Sequence, residues 1–268
     1  MTDPTLSAFD DSPPGPPVWP PIMHWLDIIH STNDWASARL RSVDHPALRE
    51  PELVVAGEQS AGRGRLGRPW HSDRGTLTAT FVLPTDHLQP DPQLWPQVAL
   101  VAGLAVCQAI EEMIGPIRAS LKWPNDVLVD HRKVAGVLSE YISGSNPAVL
   151  VGIGVNVATD FQNAPAELQQ RAGSLSAISR RPLDRWHYLH LLCGHFADCL
   201  TQWRQSPIEA MRACGRRCAL TGHQIQAVTG GGEILQGVCQ GIDDFGQLHL
   251  QTDRGEQRIR SAEVSRVR

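Results

Sequence analysis

Two apolar runs, ELVVAGEQ (52–59) and TLTATFVL (76–83), read as β-strands, and the stretch between them shows no helical periodicity. That connection constrains the fold more than any other feature. It begins AGRGRLGRPW (61–70), where Gly62, Gly64 and Gly67 keep the G-x-G-x-x-G spacing of a dinucleotide-binding turn. Such a turn must run from a strand directly into a helix whose N-terminus faces a pyrophosphate. Here Pro69 and Trp70 follow at once, then HSDRG, then the next strand. A Gly-Lys-Ser/Thr phosphate loop is absent too. What remains is a glycine-rich loop whose backbone can approach a ligand closely. It carries Arg63, Arg65 and Arg68. Three guanidinium groups this close repel one another unless an anion sits among them, and their forked donors suit phosphate and carboxylate oxygens. The loop is therefore expected to be disordered when empty and ordered around a phosphorylated ligand. A solvated basic loop that binds nothing is the alternative.

Around this loop, HWLDIIH (24–30) reads as a strand, and Ser31 as the cap of a helix through STNDWASARLRS with Asp34 in its first turn. QLWPQVALVAGLAVCQAIEEMI (93–114) reads as one largely buried helix ended by Gly115-Pro116. Short strands follow: RASLKW, DVLVD, KVAGVLSEYI and AVLVGIGVNVA. PAELQQRA and LDRWHYLHLLCGHFADCLTQWRQ read as helices. From about residue 219 the pattern becomes strand after short strand, broken by Gly-Gly-Gly, Asp-Asp-Phe-Gly and Asp-Arg-Gly, which indicates a small β-barrel. The expected fold class is α/β, of the α+β kind. Residues 1–20 form a disordered proline-rich leader, 21–217 a mixed domain and 218–268 the barrel.

A net charge of −4 argues against nucleic acid as the chain's general partner. None of the six cysteines forms a C-x-x-C pair, and the N-terminus is acidic and proline-rich rather than secretory, so reduced thiols in a cytoplasmic protein are expected. Cys193, Cys199, Cys214 and Cys218 lie near His187, His190 and His195 in a spacing that fits no common zinc site. No apolar run looks long enough to cross a bilayer.

A second cluster lies in LKWPNDVLVDHRKVAGVLSE (121–140), where Lys122, Asn125, Asp126 and Lys133 sit among apolar strands. An aspartate at a strand start can hold magnesium beside a phosphate, and a lysine on the next strand can meet a carboxylate or phosphoryl oxygen. A plain salt bridge flanking a hairpin, with Lys122 a surface residue, is the bland alternative.

With HSTN (30–33), EQSAGRGRLGRPW (58–70), KWPNDVLVDHRKVAGVLSE (122–140) and VGIGVNV (151–157) in this order, the sequence resembles the biotin–protein ligases from about residue 22 to the end. The resemblance implies a class II aminoacyl-tRNA-synthetase-like domain followed by an SH3-like barrel. It implies an enzyme that makes biotinyl-5′-AMP from biotin and ATP with magnesium, then passes biotin to a lysine of the biotin carboxyl carrier protein of acetyl-CoA carboxylase and of other biotin-dependent carboxylases. By motif, Ser31, Thr32, Asn33 and Gln59 would bind the biotin ring system. Arg63, Gly64 and Arg65 would close over carboxylate and phosphate, and Lys133 would hold biotin's carboxyl oxygen. Arg65, Arg68, Trp70, Asn125, Asp126 and Asn156 would form the nucleotide side, with Trp70 against adenine and magnesium at Asp126. Lys133, Arg65 and Asp126 would carry the chemistry.

Two departures stand out: Trp70-His71-Ser72-Asp73 replaces the family's Trp-x-Ser-Pro, and both Arg266 and Arg268 are candidates for its C-terminal nucleotide-contacting arginine. A lipoate ligase on a related fold, a biotin-sensing repressor and a non-binding scaffold are the rival readings. The leader is too short for a winged helix-turn-helix, so operator binding is not expected. Monomer and homodimer are both compatible with the sequence.

Overall fold

The computed structural model describes residues 15–42 and 46–266. Arg268 and residues 1–14 of the expected leader lie outside the described residues.

Strands β1 (Ile22–Ile29), β2 (Glu52–Gln59), β3 (Thr76–Pro84), β4 (Ser120–Lys122), β5 (Asp126–Val129), β6 (Arg132–Ile142) and β7 (Ala148–Asn156) form one sheet in the order β1-β2-β3-β7-β6-β5-β4. β1 and β2 are parallel, and every other neighbouring pair is antiparallel. The connection from β2 to β3 thus makes an antiparallel return, which needs no crossover helix.

Side chains alternate across a strand, and this sheet uses its two faces differently. Leu77, Ala79 and Phe81 of β3, with Val151, Ile153 and Val155 of β7, join the main core beneath helices α2 (Val98–Ile114) and α5 (Arg185–Gln205). On the opposite face, Val54, Val82 and Leu150 pack against Ala36 and Leu40 of α1 (Thr32–Arg41) at one end. The rest of that face carries Thr78, Gly136, Gly152 and Gly154 and is left open as a cavity.

The long apolar run departs from a single helix. Residues Pro92–Gln97 form a 3-10 turn holding Pro96, and the α-helix begins only at Val98. Proline removes a donor and crowds the preceding turn, so the tighter turn ends where the proline's influence does. The run Pro92–Ile114 is in fact long and apolar enough, by length and composition, to cross a membrane, which corrects the sequence expectation. It is mostly buried inside the protein as the central core helix.

Composition assigned residues up to 20 to a disordered leader, and the last of these are packed instead. Trp19 stacks on Phe81 at 5.7 Å between ring centroids and meets Phe196 edge-on at 5.9 Å.

Helices α3 (Ala166–Arg171), α4 (Leu175–Ser179) and α6 (Pro207–Gly215) complete the helical layer. A second, antiparallel sheet contains β8 (Gln224–Thr229), β9 (Ile234–Ile242), β10 (Leu248–Thr252), β11 (Gly255–Ile259) and β12 (Ala262–Arg266), in the order β11-β10-β9-β8-β12. It meets the first sheet through Trp123, whose indole Nε1 donates to Gly246 O at 3.0 Å.

Candidate functional site

The cavity on the open face has a volume of about 210 Å³. The structure brings together there Ser31, Thr32, Asn33, Gln59, Arg63, Gly64, Arg65, Arg68, Trp70, Asn125, Asp126 and Lys133. It does so with residues drawn from the start of α1, the end of β2, the β2–β3 connection, the start of β5 with the turn before it, and β6.

The polar end forms where α1 begins against the sheet. Ser31 Oγ accepts from the Asp34 amide at 3.3 Å, so it is the helix cap, and it is also buried in the cavity wall. Gln59 Oε1 accepts from the Thr32 amide at 2.7 Å and lies 3.0 Å from its hydroxyl. Thr80 Oγ1 lies 2.6 Å from Asn33 Oδ1 and 2.7 Å from Thr32 Oγ1. Since an amide oxygen can only accept, the single Thr80 proton goes to Asn33. Asn33 Nδ2 in turn donates to Glu140 at 2.7 Å. Thr80 and Glu140 were not anticipated. The threonine stripe has a visible signal, because Thr76, Thr78 and Thr80 alternate with apolar residues on a strand buried along its whole length. Polar residues at every second position of a buried strand mark a polar inner face.

At the other end lies Lys133. Its Nζ is 2.6 Å from Asp126 Oδ1 and 5.5 Å from the centroid of the Trp70 ring. A β-bulge makes this encounter. Along β5 and β6 the pairing runs Asp126 with Gly136 and Val127 with Ala135, then Leu128 with Lys133, so Val134 is an extra residue. Without it Lys133 would point to the helix-covered face; with it Lys133 shares the face of Asp126 and Gly136. The salt bridge weighed as the bland alternative therefore exists, inside the cavity.

Three glycines make the floor. A Cβ on Gly154 would fall 2.4 Å from the Trp70 ring, one on Gly152 would fall 2.4 Å from Asn33 Oδ1, and one on Gly136 would fall 3.3 Å from both Lys133 and Trp70. Trp70 thus lies flat against bare backbone, and its buried Nε1 has no hydrogen-bond partner.

The glycine–arginine loop is a tight hairpin. Arg63 bridges Pro69, Gly64 N donates to Arg68 O at 2.7 Å and Trp70 N donates to Gly62 O at 2.8 Å. A 3-10 turn, Arg65–Gly67, forms its tip, with Leu66 at φ 57 and Gly67 at φ 72. The three arginines do not rely on an added anion for partners, because the chain supplies counter-groups itself. Arg63 pairs with Asp34 and lies 3.6 Å from Glu140, Arg65 Nη2 donates to Ser261 Oγ at 3.1 Å, and Arg68 pairs with Glu263. The bond to Asp34 holds the Arg63 guanidinium above its ordinary pKa, while burial lowers that of Arg65. Asp73, which replaces the family's proline, fixes the loop's exit: one carboxylate oxygen accepts from Gly75 N and the Thr76 hydroxyl, and the other from Asp160 N at 2.7 Å.

Some residues stand elsewhere than expected. Asn156 does not line the cavity; it is buried, and its Nδ2 donates to Lys133 O at 3.3 Å and Gly173 O at 3.1 Å. It steadies the backbone of Lys133 instead of facing a ligand. Arg266 is bound to Ala219 O at 2.5 Å and also lies off the cavity. Asn125 lines the cavity, but its amide donates to Val137 O at 2.8 Å. Lys122 is a cavity residue and not a surface one, and burial lowers its pKa. Ala262, Glu263 and Val264 of β12 complete the wall, so the second sheet is part of the site. Glu263 gave no sequence signal, since it acts across a tertiary contact. A wider groove beside the 3-10 turn Pro92–Gln97 shares Arg65, Trp123, Asn125 and Val137 with the cavity.

Cations on two sides, an amide-rich polar end and an indole floor describe a site for an elongated ligand with a polar head and an anionic tail. The sheet with its cavity matches the model of the Biotin/lipoate A/B protein ligase family over residues 25–157. The second sheet matches the Biotin protein ligase C terminal domain over residues 214–267. The chain belongs to the biotin protein ligase family. It is 39% identical to the Biotin--[acetyl-CoA-carboxylase] ligase of Paracoccus denitrificans, over 82% of this chain and 92% of that protein. It is 36% identical to the Bifunctional ligase/repressor BirA of Bacillus subtilis, over 89% of this chain and 72% of that protein. Among solved structures, the biotin protein ligase from Aquifex aeolicus in complex with biotin and ATP superposes with a TM-score of 0.78 at 29% identity, covering 92% of this chain and all of that one.

Proposed function

We propose that this protein is a cytoplasmic ATP-dependent ligase. It joins biotin to AMP, then transfers the biotinyl group to a lysine of a biotin carboxyl carrier protein or domain, that of acetyl-CoA carboxylase first. The observation that carries the reading is the single cavity in which Lys133 and Asp126 meet over Trp70, with Asn33, Thr32 and Gln59 at one end and Arg65 and Arg68 at the other.

In the first step the biotin carboxylate attacks the α-phosphorus of ATP and pyrophosphate leaves. In the second, the carrier's amine attacks the acyl carbon of the mixed anhydride and AMP leaves. Neither step needs a protein nucleophile. The protein must hold two anions together and stabilise the charge that develops.

Ser31, Thr32, Asn33 and Gln59 hydrogen-bond the polar ring system of biotin. Lys133 holds its carboxyl oxygen beside the phosphate. Arg63 and Gly64 close over the carboxylate, and Arg65 and Arg68 exchange their partners in the chain for phosphate oxygens. Trp70 packs on adenine, with Asn125 and Asp126 on the nucleotide side. Magnesium fits Asp126 as an ion that arrives with the nucleotide, since one carboxylate plus phosphate oxygens is its usual donor set. Among the described residues no group of three His, Cys, Asp or Glu side chains could hold a metal by itself. Residues 21–217 act as the catalytic domain, and 218–268 as the SH3-like domain that closes it.

The test is the intact mass of a purified biotin carboxyl carrier domain after incubation with this protein, biotin, ATP and magnesium, alongside Lys133→Ala. A biotin-sized gain that the variant loses is the expected result. No gain with biotin, but a gain with lipoate on its own acceptor domain, would overturn the substrate. A gain that survives Lys133→Ala would remove the lysine from the chemistry.

A further inference from the structure

One row of directly opposed residues crosses the first sheet. Thr78 of β3 faces Gly154 of β7, Gly154 faces Gly136 of β6, Gly136 faces Asp126 of β5, and Asp126 faces Lys122 of β4. Opposed residues on paired strands share a face of the sheet, and every member of this row lines the cavity. The row gives the floor a direction. Thr80 and Asn33 mark the β3 end, Trp70 covers the two glycines, and Lys122 closes the β4 end. Both neighbours of Lys122 are anchored. Leu121 N donates to Arg217 O and Ala219 N to Leu121 O, both at 2.8 Å, and the Trp123 indole is bonded to Gly246 O at 3.0 Å.

The charge of Lys122 is left over. Five cationic side chains line the cavity. Arg63 pairs with Asp34, Arg68 with Glu263 and Lys133 with Asp126, and Arg65 donates to Ser261 Oγ. Among the described residues the Lys122 ammonium has neither an ion pair nor a hydrogen bond. Asp126, the carboxylate opposite it, turns to Lys133 instead. A half-buried ammonium without a counter-charge is costly, and a bound anion offsets that cost. ATP carries a pyrophosphate unit that the adenylate lacks, so its activation calls for a cation that the adenylate does not need. Lys122 also lies on the side where that unit must leave. Lys133, which meets the attacking carboxylate, starts β6, and Lys122 stands two strands further out, about 10 Å at the usual strand spacing. In an in-line displacement the leaving oxygen departs opposite the attacking one.

On the reading of this cavity as an adenylate-forming site, we propose that Lys122 is a further catalytic residue of the first step, whose ammonium binds the β- and γ-phosphate oxygens of ATP and carries the charge of the departing pyrophosphate. As the carboxylate oxygen bonds to the α-phosphorus, the bond from that phosphorus to the bridging oxygen breaks, and its electron pair goes to pyrophosphate. Lys122 donates hydrogen bonds to this group and keeps its proton. It has no part in the transfer step, since pyrophosphate has by then left.

The test uses the full-length protein with Lys122→Met, which removes the charge at little change in bulk, and Lys122→Arg, which keeps the charge. Calorimetric titrations with magnesium present compare ATP with AMP. Lys122→Met should weaken ATP binding by about tenfold or more and leave AMP binding within about twofold of wild type. AMP lacks the pyrophosphate unit and otherwise uses the same site, so its binding also reports that the variant is folded. In kcat, biotin-dependent pyrophosphate release should fall about a hundredfold for Lys122→Met, and Lys122→Arg should recover most of the loss. Transfer of biotin to the carrier domain from supplied biotinyl-5′-AMP should stay within about twofold of wild type. ATP binding that ignores Lys122→Met, an equal loss for AMP, or a loss confined to the transfer step overturns the proposal. A protein that binds ATP through Lys122 but activates lipoate in place of biotin would instead overturn the biotin reading and leave the role of Lys122 intact.

Discussion

Gly154→Ala separates the site from the fold that carries it. A methyl group at residue 154 would sit 2.4 Å from the Trp70 Cε2 and 2.5 Å from Cζ2. Carbon atoms pack at no less than about 3.5 Å, so the ring must retreat by about 1 Å. Gly154 itself has no positive φ, so the sheet backbone accepts alanine. The ring hangs on the hairpin loop, so the loop absorbs the strain, and the stability cost should fall at the low end of overpacking, about 1 kcal/mol. Activity should suffer far more. Moving Trp70 moves the hairpin that holds Arg65 and Arg68, and a displacement of about 1 Å at a positioning element costs roughly a hundredfold in rate, or about 2.7 kcal/mol. The assay is biotin-dependent pyrophosphate release, with thermal melting in parallel. In a Trp70→Ala background the methyl has room, so the same change should there cost almost nothing further, a non-additivity that a double-mutant cycle measures directly. Activity of Gly154→Ala within twofold of wild type, or losses that simply add, would refute the reasoning. Gly237→Ala is the contrasting case: its Cβ would meet the Gln251 carbonyl oxygen at 2.1 Å inside the second sheet, where backbone cannot yield, and melting temperature should fall.

Other consequences can be checked alongside. Glu263→Gln breaks an exposed pair with Arg68, so stability should change by less than about 1 kcal/mol, while protease cleavage within residues 61–70 should quicken without ligand. Asn33→Ala removes bonds to Thr80 and Glu140 and takes the amide acceptor from the buried Thr80 hydroxyl, which should cost about 1–3 kcal/mol on melting and raise the KM for biotin. Trp19→Ala should cost at least the roughly 0.5–1.5 kcal/mol of an aromatic pair, seen in a denaturant titration. The Arg217 hydrogen bond holds the Glu111 carboxyl below its ordinary pKa, so that pair stabilises the fold at neutral pH, and its contribution fades as pH falls below the usual glutamate value of about 4.3. The stability gap between wild type and Glu111→Gln should shrink in that window.

Much of the fold was legible because burial and period agree. β2 and β3 read directly from apolar runs, and α1 from its Ser31 cap. The five short strands of the second sheet read from their turn residues. The start of α2 did not, since a proline inside an apolar run suits a 3-10 turn as well as the first turn of an α-helix. Helix α6 escaped notice because only Ser206 and Pro207 separate its body from α5. In the site, the loop and the KWPND segment announced themselves by composition. What brings Lys133 to the cavity did not, because a bulge at Val134 shows only once two strands are paired. Glu140 and Glu263 were hidden for the same reason: each meets an arginine that is distant in sequence. Ion-pair partners carry no local pattern.

The turn at residues 143–145 joins β6 to β7 and is exposed. Dividing the chain there would leave Asn33, Trp70 and Lys133 on one fragment and Gly152, Gly154 and Glu263 on the other. Neither fragment would hold a complete cavity, and β6 and β7, neighbours at the centre of the sheet, would have to find each other for one to exist. Two such fragments fused to a pair of test proteins would regain ligation only on meeting, and would leave a covalent label as a record of the encounter.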